Sequence, residues 1–166
     1  HAPIQPGDFV LIGARPGVGK SALMTGMLLE NFLGPERHNG LFFCIEMDTR
    51  QSYARLSSQI AGVPLSKYIN SQNSPPTPID KGNIEKSFNL IAENFPDRWF
   101  LQGSISLEEI CDLVEIYKPD FIVIDYVQIV TSYGDSYERL SKISTSLRML
   151  ALEHDVAVIG VVQLNR

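Results

Sequence analysis

Gly13-Ala14-Arg15-Pro16-Gly17-Val18-Gly19-Lys20-Ser21 joins an apolar run to a helical pattern through a loop of phosphate size. Glycines at such a place let backbone N–H groups approach phosphate oxygens, and the helix that follows adds about half a positive charge at its start. Lys20 supplies a point charge for the outer phosphates, and the Ser21 hydroxyl suits Mg²⁺. The pattern departs from G-x-x-x-x-G-K-S/T at one position, where Ala14 stands in place of the first glycine. Nucleotide contacts are assigned to Arg15, Pro16, Gly17, Val18, Gly19, Lys20, Ser21 and Ala22.

Three further polar residues end apolar runs. Phe121-Ile122-Val123-Ile124 closes on Asp125, Leu41-Phe42-Phe43-Cys44-Ile45 closes on Glu46, and Val158-Ile159-Gly160-Val161-Val162 closes on Gln163. In an open parallel sheet the carboxyl ends of all strands face one edge, which is where ligands bind. Asp125 then lies within reach of the hydration shell of a metal held by Ser21, as a phosphate site of this layout requires. Glu46 and Gln163 supply a base and a sensor for the terminal phosphate and its attacking water. Plainer readings stay open for both, Glu46 as an acid favoured by a helix N-terminus and Gln163 as a solvated strand end.

The elements that must position these residues alternate between strand and helix at βαβ spacing, which predicts an α/β fold with a largely parallel sheet. Strands are predicted at 9–12, 41–45, 99–101, 121–125 and 156–162, the first of them fully buried. One helix is predicted over 21–32. Another, capped by Asp48 or Thr49, carries Tyr53, Leu56 and Ile60 on one face before Gly62 and Pro64 stop it. A third places Ile84, Phe88, Ile91 and Phe95 on one side, after the Pro- and Ser-rich surface loop of residues 71–78. Ser106 with Glu109 forms a capping box ahead of Ile110, Val114 and Tyr117. The last helix carries Leu140, Ile143, Leu147 and Leu150, with Asp135 and Glu138 as its start signal.

With 44% hydrophobic and 20% charged residues, the 166-residue chain suits a single globular domain spanning 1–166. A formal net charge of −5 offers no bulk attraction for nucleic acid, so any DNA contact must be local. Cys44 and Cys111 sit among apolar residues without CxxC spacing and read as buried reduced thiols. His1, His38 and His154 lack ligand spacing, so zinc is not expected. No apolar run nears the ~18 residues of a membrane span and no secretory pattern opens the chain, which together predict a cytoplasmic protein without membrane contact. A start at His1 and an end at Arg166 directly after an apolar strand read as a piece truncated at both ends.

Four runs, taken in order, resemble one family. They are Gly7 to Ser21, Phe42-Phe43-Cys44-Ile45-Glu46-Met47, Ile122-Val123-Ile124-Asp125-Tyr126-Val127-Gln128-Ile129 and Gln163-Leu164-Asn165-Arg166. Together they are similar to the C-terminal motor domain of DnaB-type replicative helicases, within the RecA-like ATPases, where Ala is common at the position of Ala14. The resemblance implies a three-layer RecA-like P-loop fold with a mostly parallel sheet of about five strands. It implies a strand order with the Glu46 strand beside the Asp125 strand, and the Gln163 strand between that one and the P-loop strand. It further implies ATP and Mg²⁺ as cofactors, a homo-oligomeric ring, usually a hexamer, around single-stranded DNA, and primase or a helicase loader as a partner. Under it, Lys20 and Ser21 hold phosphates and metal, Glu46 polarises the hydrolytic water, Asp125 anchors the Mg²⁺ water shell, and Gln163 senses the γ-phosphate.

The family's N-terminal domain and arginine-finger segment would lie outside this chain. The stretch Thr131 to Glu138, at the place of the family's first DNA loop, contains no Lys or Arg, so no DNA-contacting residue is assigned. Two other readings fit the phosphate loop. One is a RecA-like ATPase of another branch, acting in recombination or protein-state switching, and the other is a nucleotide-binding module that uses ATP only to fix subunit geometry.

Overall fold

A computed structural model describes residues 4–34, 38–44, 48–70, 72–94, 100–102, 105–127 and 136–164. Five strands, β1 (Phe9–Ala14), β2 (Gly40–Cys44), β3 (Phe100–Gln102), β4 (Phe121–Asp125) and β5 (Ala157–Gln163), form one parallel sheet in the order β1-β5-β4-β2-β3. The helices are α1 (Lys20–Leu33), α2 (Thr49–Ala61), α3 (Ser66–Ile69), α4 (Pro78–Asn94), α5 (Leu107–Tyr117) and α6 (Ser136–His154). The class is the one that the strand–helix alternation predicts, and the strand order is the one that the family resemblance implies.

Because strand side chains alternate between faces, neighbouring residues of one strand serve two different cores. Leu41 and Phe43 join Ile122, Ile124 and Val158 against Ile110 and Val114 of α5 and Ile143 and Leu147 of α6. Phe42, Val123, Ile159 and Val161 face the other way, onto Met24 and Leu28 of α1, Leu56 of α2 and Ile91 of α4. The sheet is therefore the middle of three layers, covered on both faces, and parallel strands need that cover because their crossovers place helices there.

Local signals explain the helix ends. The Asp48 side chain accepts a hydrogen bond from the Arg50 N–H at 2.9 Å, so Asp48 rather than Thr49 caps α2, and Gly62 ends it in the left-handed region at φ 63°. The capping box is complete: the Glu109 N–H donates to Ser106 Oγ at 3.1 Å and the Ser106 N–H to Glu109 Oε2 at 2.7 Å. Gly40 opens β2 under the ring of Phe121, which leaves no room for a Cβ, and that ring meets Phe42 edge-on at 5.8 Å.

Several expectations are corrected. The first strand is not fully buried: Leu11 is 44% exposed, because β1 pairs only with β5 among the described residues and so lies at a sheet edge. A short apolar run reads the same at the centre of a sheet and at its edge. Phe88 is 42% exposed, and the inner face of α4 carries Ser87 and Ile91 instead. Ser87 is drawn inward because its hydroxyl meets the Ser57 hydroxyl of α2 at 2.5 Å and donates to the Ile84 carbonyl at 2.7 Å. The short helix α3 had no sequence signal, and β5 starts and ends one residue later than predicted. Cys44 and Cys111 are free but only partly buried. Ile45, Glu46, Phe95, Trp99, residues 131–135, Asn165 and Arg166 lie outside the described residues. Among the described residues no helix is long and apolar enough to cross a membrane.

Candidate functional site

The strand order brings the chemistry to one edge. In the parallel registers Ala14 at the end of β1 pairs with Gln163 at the end of β5, and Asp125 at the end of β4 pairs with Cys44 at the end of β2. The phosphate loop rises from the end of β1 at Ala14, and the first residues of α1, Lys20 and Ser21, reach the ends of β5 and β4. Gly17 at φ 79° and Gly19 at φ 98° adopt left-handed backbone that a side chain would strain. Gly19 is also the N-cap of α1 and offers no side-chain acceptor, which leaves the first N–H groups of the helix directed at any anion in the cleft.

Four of the expected site residues meet in two pairs. The Lys20 ammonium donates to Gln163 Oε1 at 3.3 Å and lies 5.4 Å from the centre of the Tyr126 ring. Ser21 Oγ donates to Asp125 Oδ2 at 3.3 Å, and Thr25 ties the first turn of α1 by donating to the Ser21 carbonyl at 2.6 Å. Asp125 is 6% exposed at the end of a buried strand. Its negative charge is felt next door: the Cys44 thiol is pushed up to about 11, mainly by burial and further by Asp125, with a hydrogen bond to Ser52 opposing. Cys44 therefore stays protonated and is no nucleophile.

Above these pairs lies a cleft of about 570 Å³ lined by Pro16, Gly17, Gly19, Lys20, Ser21, Ala22, Gln51, Arg55 and Gln163. That volume falls in the range of small-molecule sites. Arg15 and Val18 belong to the loop but do not line the cleft, and Val18 is 64% exposed. Beneath the floor, Ser21 and Asp125 border a cavity of about 20 Å³ with Cys44 and Ser52. This is room for about one water-sized occupant. A hydroxyl and a carboxylate beside such a space are the hard oxygen donors that Mg²⁺ takes, with water and phosphate completing its shell. Glu46 lies outside the described residues, two positions beyond Cys44.

Sequence reasoning missed Gln51 and Arg55. Both sit on α2, four residues apart and so on one helical face. The available signal was a polar stripe on an amphipathic helix, which by itself reads as a solvated face. Only the packing of α2 beside α1 turns that stripe toward the phosphate loop.

Known proteins are similar to this chain in sequence and in fold. The replicative DNA helicase DnaB of Mycoplasma genitalium is 27% identical over 98% of this chain, and that of Helicobacter pylori strain J99 is 28% identical over 96%. A probable plasmid replicative DNA helicase of Chlamydia trachomatis is 26% identical over 98% of the chain. The chain spans about a third of the length of these curated relatives, 36%, 33% and 36% respectively. A DnaB-like replicative helicase, solved in a study of its interactions with primase, superposes with a TM-score of 0.84 at 23% identity, over 98% of this chain and 40% of that one. The ATPase domain of G40P superposes at 0.82 with 22% identity, over 98% of this chain and 59% of that one. At such identities the two superpositions speak for the fold. The family described as the DnaB-like helicase C terminal domain matches residues 2–166, and the chain belongs to it.

Proposed function

We propose that this chain is the ATPase motor of a replicative DNA helicase, coupling ATP hydrolysis to movement along single-stranded DNA and unwinding of the duplex ahead. The observation that carries the reading is the double pairing of Lys20 with Gln163 and of Ser21 with Asp125 at one edge of a parallel sheet. Lys20 and the amides at the start of α1 hold the phosphates. Ser21 and Asp125 would hold Mg²⁺, which would supply positive charge to offset that of the phosphates. Arg15, Pro16, Gly17, Val18, Gly19 and Ala22 shape the loop around the nucleotide.

Gln163 reports the state of the γ-phosphate to the end of β5, because its amide oxygen receives the same ammonium that the phosphates recruit. A bound triphosphate competes for Lys20 and releases Gln163. Glu46 is the acid that orients the attacking water. Changing Glu46→Gln is expected to leave nucleotide affinity nearly intact while turnover falls by about 10²-fold or more.

The parent protein assembles as a homo-oligomeric ring, hexameric in this reading, around single-stranded DNA. An arginine finger from a neighbouring subunit completes each site, and primase or a loader acts as partner. Its activity belongs in the cytoplasm. Phosphoryl transfer needs little covalent chemistry from the protein, so positioning and charge are what the site must provide.

The test is ATP hydrolysis by the full-length protein that carries this chain, with and without single-stranded DNA, alongside its mass in Mg²⁺-ATP. DNA-stimulated turnover with a ring-sized mass is the expected result. Assembly with nucleotide but no response to DNA would move the assignment to a RecA-like ATPase of another branch. Assembly without any turnover would point to a nucleotide-binding module.

A further inference from the structure

Among the described residues Arg55 is a cation without an ionic partner. Its Nε is buried, and among the described residues it has no hydrogen-bond partner and no carboxylate pairs with the guanidinium. An arginine stays charged at any physiological pH, and a buried charged donor left unmade costs free energy unless a ligand completes it. Arg55 lines the same cleft as Gly19, Lys20 and Ser21.

The placement of Arg55 follows from the helix that carries it. Gln51, Arg55 and Gln59 are spaced four residues apart on α2 and form one stripe. Gln59 Nε2 donates to the Ala22 carbonyl at 3.1 Å, which pins the stripe to the first turn of α1. One turn before that anchor, Arg55 comes level with the phosphate loop. The helix is capped at Asp48 and buries Leu56, so the guanidinium is carried on a rigid element.

The direction of approach matters. The loop and Gln163 stand over β1 and β5, whereas α2 follows β2, on the far side of β4. Arg55 therefore enters from the side of Ser21 and Asp125, the pair that would hold the metal ion beside the outer phosphates of a bound nucleotide. We infer that Arg55 is a cis ligand of the terminal phosphate, which makes the cleft select a nucleoside triphosphate over a diphosphate. The guanidinium fork matches two phosphate oxygens at once. This inference rests on the reading of the cleft as an ATP site.

Binding of a non-hydrolysable ATP analogue and of ADP, each with Mg²⁺, tests it in the wild type, Arg55→Ala, Arg55→Gln and Lys20→Ala. Arg55→Ala should weaken the analogue by ~10- to 100-fold and ADP by less than ~3-fold, the scale of a lost charged hydrogen bond. Should Arg55→Ala fail to fold, Arg55→Gln keeps a polar side chain without the charge, and the preference for the analogue must still fall. Equal weakening of both nucleotides, or an unchanged preference in either Arg55 variant, overturns the inference. Lys20→Ala separates the two readings. If it weakens both nucleotides while the Arg55 variants keep their preference, only the role of Arg55 falls. If it weakens neither, the cleft is not the ATP site and the role of Arg55 falls with it.

Discussion

Asp125→Asn replaces a buried carboxylate by an amide of nearly the same shape, so its effects report charge rather than packing. In the folded chain Asp125 is 6% exposed and its Oδ2 receives the Ser21 hydroxyl at 3.3 Å. A divalent ion ~4 Å from that carboxylate would gain on the order of 8 kcal/mol of Coulomb energy at an effective dielectric of about 20. Desolvation of both ions offsets most of it, leaving a net of ~1.5–3 kcal/mol, or about 10- to 150-fold in affinity. The assay is nucleotide affinity with Mg²⁺ and with EDTA. The wild type should bind more tightly with Mg²⁺ by that ratio, and in Asp125→Asn the two affinities should converge.

Cys44 gives a second readout from the same substitution. Its thiol stands at about 11 chiefly through burial, with Asp125 adding to the rise. Removing the charge should lower that value while leaving it above the ordinary 9.0, because burial remains. An ultraviolet thiolate titration with Cys111→Ser as background follows it. Full retention of the Mg²⁺ effect in Asp125→Asn, with Cys44 shifted as expected, would show that the charge had gone and the metal had never depended on it. The assignment of Asp125 would then be wrong.

Gly40→Ala should destabilise the fold by ~1–3 kcal/mol, because the added methyl runs into the Phe121 ring, and thermal unfolding reads this as a fall of roughly 2–4 °C per kcal/mol. Ser106→Ala removes one half of the capping box and should cost about 1 kcal/mol in a denaturant titration, with ATP affinity unchanged. The Asp80 carboxyl is held down to about 2 by hydrogen bonds from the Lys67 ammonium first and then Thr77. A depressed value means that its stabilisation is complete above the ordinary 3.8 and is lost as pH falls through about 2. The difference in unfolding temperature between wild type and Asp80→Asn should thus be flat above pH ~4 and shrink below it.

The nucleotide loop was legible because its chemistry is local. Gly17, Gly19, Lys20 and Ser21 lie within five residues of sequence, and the backbone conformation that exposes N–H groups needs only glycine at two of those points and a helix start directly after. The capping box at Ser106 and the stop at Gly62 are local for the same reason. The strand ending in Asp125 was legible as an element, and parallel alternation implied which edge its carboxylate would face.

Distances between segments are a different matter. That Ser21 meets Asp125 across 104 positions, and Lys20 meets Gln163 across 143, depends on β5 inserting between β1 and β4, a choice that no local pattern encodes. Leu11 read as core and lies at a sheet edge, while Phe88 read as core and yields its place to Ser87, whose hydroxyl finds a partner on α2. Arg55 has no sequence signal of its own, and only the packing of α2 brings it to the cleft. The residue types determined what chemistry the chain can do, because those requirements are set by bonding partners a few positions apart. Tertiary packing alone decided which distant groups share the phosphate cleft, because burial is settled by what each face of a helix or strand meets, and one sequence position does not contain that information.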